Sequence, residues 1–361
     1  MKEKNDIKIT PLLFLEDERL LGYKNGYIYT INSRTFETIE KCLIFKSFKE
    51  RFLYRFSLIR RLLRLGVRTV IQSDSETVLI FINKRIYEFN ILDKTISAGY
   101  SPEKGVRALY FSKIDSIDGF NDSIVFGGYL SNPEKKQVHI YKRVGIDAWG
   151  VIFTFSGGEI NHIHNIIPDT YNQCVWILTG DSDDSAAIWR ATDNFKKVER
   201  ILSNNQIYRG CIGFPTEQGL LYATDAPYFD NSIRLLHNKD EKWISDKIFD
   251  IPGSSIYGCA FNDKYVFSTT VEPDGRDSSL FKLLFFQERG VGIKDNYTHI
   301  CIGNTKDGFK DIYKLEKDYW PFIFQFGTIR FPVGDNPTSY LIFEPIATKK
   351  YNLNFLKLKI E

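Results

Sequence analysis

His162 and His164 stand two residues apart in Asn161-His162-Ile163-His164-Asn165-Ile166-Ile167, a run that reads as a strand. Alternate side chains of a strand share a face, so both imidazoles point to one side. The chain has only 5 His, which makes a pair at one place worth following. The next strand, Cys174 to Thr179, runs into Gly180 and Asp181. A carboxylate beside two imidazoles can form a general base with its orienting partner, bind a divalent metal, or simply accept a hydrogen bond. No third His or Cys lies nearby in the sequence, so no metal and no cofactor are assigned. Asp183 and Asp184 continue the turn and read as solvated, whereas Gly180 lets Asp181 turn sharply inward.

The same positions recur along the chain. Short strand signals alternate with turn residues, four to a unit, as in Asn161 to Leu202. Units begin near Gly66, Gly105, Asn161, Ile207 and Ile256, roughly 40 to 55 residues apart, which is the period of propeller blades. The chain is therefore expected to be all-β, a single β-propeller over residues 1–361 with four-stranded antiparallel blades. Seven blades are expected, with six as the alternative. The first lies near Glu18 to Phe45 and the last near Phe322 to Leu358, and a strand near Ile7 to Phe14 could close the ring. In such a blade the start of the inner strand and the end of the second strand lie on one face. Those positions hold Arg68, Arg107, His162, His164, Tyr208, Arg209, Tyr257, Asp181, Asp225 and Glu272. Guanidiniums offer planar forks to a carboxylate or sulfate, carboxylates accept sugar hydroxyls or act as acid and base, and tyrosines stack on sugar rings. The alternative for the arginines is salt bridging between blades.

One segment departs from the β pattern. Residues 47–65 carry Phe48, Phe52, Phe56, Ile59 and Leu63 at helical spacing, with Ser47 and Glu50 placed as a capping box and Gly66 as a stop. An inserted helix is expected, its stripe packed on the propeller and Arg51, Arg55, Arg60, Arg61 and Arg64 in solvent. The other reading is peripheral contact with an anionic membrane or an acidic partner.

Composition narrows the function classes. With 48 basic and 45 acidic residues, a net charge of +3 lacks the basic footprint of a general nucleic-acid binder. Five widely spaced Cys read as free thiols of a reducing compartment. The charged stretch Met1 to Thr10 lacks the apolar run of a signal peptide, and no run is long enough to span a bilayer. A cytoplasmic location is the expectation. Neither a Walker sequence, nor G-x-S-x-G, nor a close Cys pair is present.

Ile188-Trp189-Arg190-Ala191-Thr192-Asp193-Asn194-Phe195-Lys196-Lys197-Val198 resembles an Asp-box, the hairpin motif Ser/Thr-x-Asp-x-Gly-x-Thr-Trp of sialidase-like propellers. Ala191 and Asp193 fill the first and third places, while Phe195 replaces the Gly and Val198 the Trp. With His162-Ile163-His164, Thr179-Gly180-Asp181, Gln206-Ile207-Tyr208-Arg209 and Thr224-Asp225, the middle of the chain is similar to sialidase-like (Asp-box, BNR-repeat) propellers associated with polysaccharide metabolism. The resemblance implies a carbohydrate ligand, an acidic polysaccharide or glycan, met either by a glycoside hydrolase or lyase or by a non-catalytic binding or scaffold propeller. His162, His164, Asp181 and Asp225 would be catalytic. Arg68, Arg107, Tyr208, Arg209, Tyr257 and Glu272 would bind substrate. The arginine triad and Tyr–Glu pair of sialidases have no residue-by-residue match here, so sialidase activity itself is not carried over.

Overall fold

A computed structural model describes residues 2–4, 8–45, 47–274, 284 and 288–360. Strand β1 (Lys2–Lys4) precedes blade 1, which comprises β2 (Thr10–Phe14), β3 (Arg19–Lys24), β4 (Tyr27–Asn32) and β5 (Thr38–Leu43). Helices α1 (Phe48–Leu53) and α2 (Ser57–Leu62) lead to blade 2, with β6 (Thr69–Gln72), β7 (Thr77–Ile82) and β8 (Arg85–Asn90). Its fourth position is an irregular stretch held to β8 by bridges Ile86–Tyr100 and Phe89–Ile96. Blade 3 has an inner strand in two pieces, β9 (Arg107–Ala108) and β10 (Ser112–Ile114), then β11 (Ser123–Tyr129), β12 (Val138–Gly145) and β13 (Ala148–Phe155). Blade 4 comprises β14 (His162–Asp169), β15 (Cys174–Gly180), β16 (Ala187–Thr192) and β17 (Lys197–Ser203). Blade 5 comprises β18 (Gly210–Thr216), β19 (Gly219–Thr224), β20 (Asn231–Lys239) and β21 (Lys242–Ile251). Blade 6 comprises β22 (Ser255–Phe261), β23 (Lys264–Thr269), β24 (Tyr297–Asn304) and β25 (Gly308–Glu316). Blade 7 comprises β26 (Thr328–Arg330), β27 (Tyr340–Ile346) and β28 (Leu356–Lys359), and β1 completes it.

Seven sheets make the larger of the two expected blade numbers the right one. The ring is closed by β1, whose Lys2 and Lys4 pair with Leu358 and Leu356. The expected closing strand was placed slightly too far along. Thr10–Phe14 is instead the inner strand of blade 1, and Ile7 lies outside the described residues. Pairing the first strand with the last blade removes an open sheet edge.

Alternating apolar residues on each pleated strand pack between blades rather than at the axis. Leu21 and Ile28 of blade 1 meet Val70 and Phe89 of blade 2, and Trp176 of blade 4 meets Tyr222 and Leu236 of blade 5. Similar clusters fill the other five junctions, including Ile9 and Phe14 against Ile342 and Phe355 where the ring closes. All five cysteines are free thiols, three of them buried. No helix among the described residues is long and apolar enough to cross a membrane.

The expected single helix is two short ones, separated at Tyr54 to Phe56, where Phe56 takes an extended backbone. Its sidedness is also the reverse of the expectation. Phe48, Phe52 and Phe56 are 78%, 46% and 46% exposed, with Phe48 stacked on Phe52 and Phe52 edge-on to Phe56. Arg60 and Arg61 dock instead, while Arg55 and Arg64 are exposed. Arg61 is bonded to both oxygens of Asp318 and to the Phe324 carbonyl. Arg60 reaches Thr10 and Glu344, and its guanidinium lies 4.4 Å from the Tyr54 ring centroid. Helices this short are marginal alone and take their orientation from tertiary contacts. Here, carboxylates on the last blade and its neighbouring loop outweighed the apolar stripe.

Candidate functional site

The inner strands begin, and the second strands end, on one face. His162 pairs with Gly180 in blade 4, Gly210 with Thr224 in blade 5, and Ser255 with Thr269 in blade 6. Asp181, Asp225 and Glu272 follow those second strands, and the Asp225 amide donates to the Arg209 carbonyl across the blade 5 opening at 2.9 Å. Register slips in β14 between Ile163 and Asn165 and in β18 between Gly210 and Ile212. The extra residues are His164 and Cys211, and such bulges re-aim a side chain.

The convergence is close. The Nε2 atoms of His162 and His164 are 3.0 Å apart. Asp181 Oδ1 lies 3.5 Å from the first and 3.4 Å from the second. Arg209 Nη2 bridges Asp181 Oδ1 at 3.0 Å and Asp225 Oδ2 at 3.2 Å, and Cys211 Sγ lies 3.2 Å from that same Asp225 oxygen. Gly180 is required by this crowding, because a Cβ there would meet His164 Cε1 at 2.6 Å and Arg209 Cγ at 3.1 Å. Both histidines are buried, while the Asp181 side chain is 52% exposed. Asp183 and Asp184 are spent on the turn, bonded to Gln206 and Lys135.

Electrostatics follow from burial and pairing. Burial lowers the His162 pKa, against the pull of Asp181. Burial disfavours the Asp181 anion, but the imidazoles, when protonated on Nε2, and Arg209 hold its carboxyl well below the usual range. Burial also works against the Arg209 cation, but Asp225, Asp181 and Glu272 raise its pKa. Burial beside Asp225 lifts Glu272 to about 8, so it is protonated at neutral pH. The Cys211 thiol is pushed up by burial and by Asp225.

Blades 2, 3 and 7 supply the opposite charge. Arg68 is pushed down to about 10 by burial and by the neighbouring Arg107 guanidinium, with Arg330 and Arg64 adding to the repulsion. Among the described residues, none of Arg68, Arg107 and Arg330 has an ion pair with a carboxylate, and Arg68 Nη1, Arg107 Nε and Arg330 Nε are buried without an acceptor. Arg330 donates to the Tyr257 hydroxyl at 3.3 Å. A cavity of about 100 Å³ lies here, lined by Arg64, Arg68, Tyr257, Thr270, Thr328 and Arg330. Tyr129 joins the two halves, with its ring centroid 4.3 Å from that of His162 and 5.6 Å from the Arg107 guanidinium.

Of the residues expected at the site, His162, His164, Asp181, Arg209 and Asp225 form one contact network, and Glu272 interacts with Asp225 and Arg209. Arg68, Arg107 and Tyr257 belong to the arginine half. Tyr208 does not belong. A 3-10 turn, Gln206–Tyr208, capped by the Asn205 side chain, interrupts the expected strand, and Tyr208 packs against the apolar cluster of Trp176 and Tyr222. Cys211, Tyr129 and Arg330 were missed. Cys211 alone had a signal, since it follows Gly210 just where a second inner strand opens. The Asp-box-like segment forms the β16–β17 hairpin, at the end of blade 4 away from His162 and Asp181.

No family model matches the chain, and no curated protein matches it in sequence. Solved structures do. The chain is similar to a chain of the "Mitotic Checkpoint Complex" structure, at 10% identity and a TM-score of 0.55, over 99% of this chain and 89% of that one. It is also similar to the Cps50 (Swd1) β-propeller domain of Myceliophteria thermophila, at 7% identity and a TM-score of 0.55, over 100% of this chain and 98% of that one. Likeness at such identities speaks to architecture alone, and with the seven sheets it makes the chain a seven-bladed β-propeller.

Proposed function

We propose that the protein is a sialidase-like propeller that binds an acidic saccharide on the face where the inner strands begin. The observation that carries this reading is the group formed by Arg68, Arg107 and Arg330, each half-buried with one enclosed nitrogen that has no acceptor, Arg68 and Arg330 lining the cavity. An enclosed N–H without an acceptor is costly, and a carboxylate or sulfate is the group their planar forks suit. The cavity admits one such group rather than a whole chain. Asp181 and Asp225 lie around the other half of the face and disfavour a ligand that is anionic throughout. A sugar with one charged end and hydroxyls at the other meets both demands. Calorimetric titration with uronate-containing oligosaccharides and their neutral counterparts tests this. Acidic ligands should bind, more weakly as salt rises, and Arg68→Ala should weaken them by about tenfold or more, the loss of one charge-assisted bond. Equal binding of neutral ligands, or no effect of Arg68→Ala and Arg107→Ala, would refute it. Turnover is supported by Glu272, a carboxyl kept protonated that could supply the acid of a glycosidic cleavage. Mass spectrometry of the same oligosaccharides would reveal cleavage products.

We also infer that the α1–α2 segment touches an anionic lipid surface. It joins β5 to β6 and so lies on the same face. There Phe48, Phe52 and Phe56 are exposed beside exposed Arg55 and Arg64, a pairing of apolar wedge and cation that suits such a surface. Vesicles containing phosphatidylserine should retain the protein in flotation. The double change Phe48→Ser and Phe52→Ser should release it without moving the melting curve. Equal retention by purely zwitterionic vesicles would count against the lipid reading.

A further inference from the structure

The geometry points to a divalent transition-metal site formed by His162 Nε2, His164 Nε2 and Asp181 Oδ1. His162 Nδ1 is 2.9 Å from the Leu130 carbonyl, and His164 Nδ1 is 3.0 Å from the Gly210 carbonyl. A carbonyl only accepts, so both imidazoles carry their proton on Nδ1. In the neutral rings both Nε2 atoms are therefore bare lone pairs. They face each other at 3.0 Å and face a carboxylate oxygen at 3.4 and 3.5 Å. Three acceptors turned inward on one point repel unless a cation sits between them.

The spacing says what kind of cation. Ligand atoms at about 2.05 Å from a tetrahedral zinc stand about 3.3 Å apart. The three edges here, 3.0, 3.4 and 3.5 Å, bracket that value. Donor type, not spacing, excludes a calcium ion, which takes six to eight oxygen ligands, whereas two of the three donors here are imidazole nitrogens. Two imidazoles and one carboxylate suit zinc or a first-row neighbour and leave a position for water or a ligand oxygen.

The surroundings are those of a built metal site. Backbone carbonyls fix both rings, and Arg209 Nη2 donates to Asp181 Oδ1, the ligand oxygen itself, at 3.0 Å. His299 offers the contrast. Its Nδ1 meets Asp311 and its Nε2 meets both oxygens of Asp295, so neither nitrogen is left for a metal. The inference goes beyond the saccharide reading and does not need it, because the metal is tested without any sugar.

The test is titration of chelator-treated full-length protein with Zn²⁺, and with Co²⁺ followed by visible absorption. One equivalent should bind, and Co²⁺ should give the intense d–d bands of a tetrahedral N,N,O site. His162→Ala, His164→Ala and Asp181→Asn should each weaken Zn²⁺ by more than about 100-fold, beyond the usual effect of an outer partner. His237→Ala should leave binding intact. Circular dichroism of each variant separates loss of site from loss of fold, and Asp181→Asn, nearly isosteric and half exposed, is the variant least able to unfold the blade. The inference is overturned if folded wild type takes up no stoichiometric metal. It is also overturned if Asp181→Asn and His162→Ala bind Zn²⁺ as wild type does, or if the imidazoles share a proton whose NMR titration Zn²⁺ does not alter.

Discussion

Between about pH 6.5, where the opposite contribution of His162 ends, and pH 8 the protein is expected to lose stability as pH rises, and Glu272→Gln is expected to remove most of that slope. Glu272 is buried, and its carboxyl titrates at about 8 against an unfolded value of 4.5. Between these values the folded chain holds a proton that the unfolded chain has released. Stability therefore falls with pH, by up to about 1.4 kcal/mol per pH unit, and levels off above the folded pKa. The benefit is full below the unfolded pKa and gone above about 8. Gln keeps the shape and never ionises, so the variant should be the more stable protein at pH 8.5 and show a flatter profile. Denaturant midpoints at half-unit pH steps measure both. Parallel profiles for wild type and Glu272→Gln would mean that Glu272 is ionised in the folded protein, and the acid role would go with it.

The second large effect concerns the helix pair. Asp318→Ala should destabilise the protein by about 3–5 kcal/mol, the usual result of stripping the partner from a buried cation. Both Arg61 and Lys317 are almost wholly buried, and Asp318 is the carboxylate they share. The double variant Arg61→Leu, Asp318→Leu should recover only the part of the loss due to Arg61, because Lys317 stays buried with the Asp318 and Trp320 carbonyls as its remaining partners. Chemical denaturation of the three proteins decides the matter. A loss below about 1 kcal/mol for Asp318→Ala would show that water reaches Arg61 and that the helices are not locked down.

The second effect sits where sequence reading was least informed, whereas Glu272 was read from the sequence as a residue of the face. The blades were legible because period-two alternation and turn residues are local signals, and Asn161 to Leu202 carried all four strands of blade 4 in plain view. The His162, His164 and Asp181 group followed from antiparallel geometry alone. Tyr208 was misplaced because one turn of 3-10 helix, started by Asn205, rotates the chain before the strand begins. The sidedness of α1 and α2 depended on Glu344 and Asp318, more than 250 residues away, which no periodicity could announce. Arg330 was missed because its strand is three residues long.

The slipped registers of the inner strands have an evolutionary side. Four of them, β2, β14, β18 and β22, carry one extra residue near the start: Leu12, His164, Cys211 and Ile256. The backbone has thus built the same socket four times and filled it with two aliphatic groups, an imidazole and a thiol. Each socket sits outside the regular ladder, so its occupant can change without re-pairing a sheet. Leu12 is packed into the core between blades 1 and 2, whereas Ile256 lines the cavity, so a new reactive group could enter at Ile256 by point mutation while the ring keeps its shape.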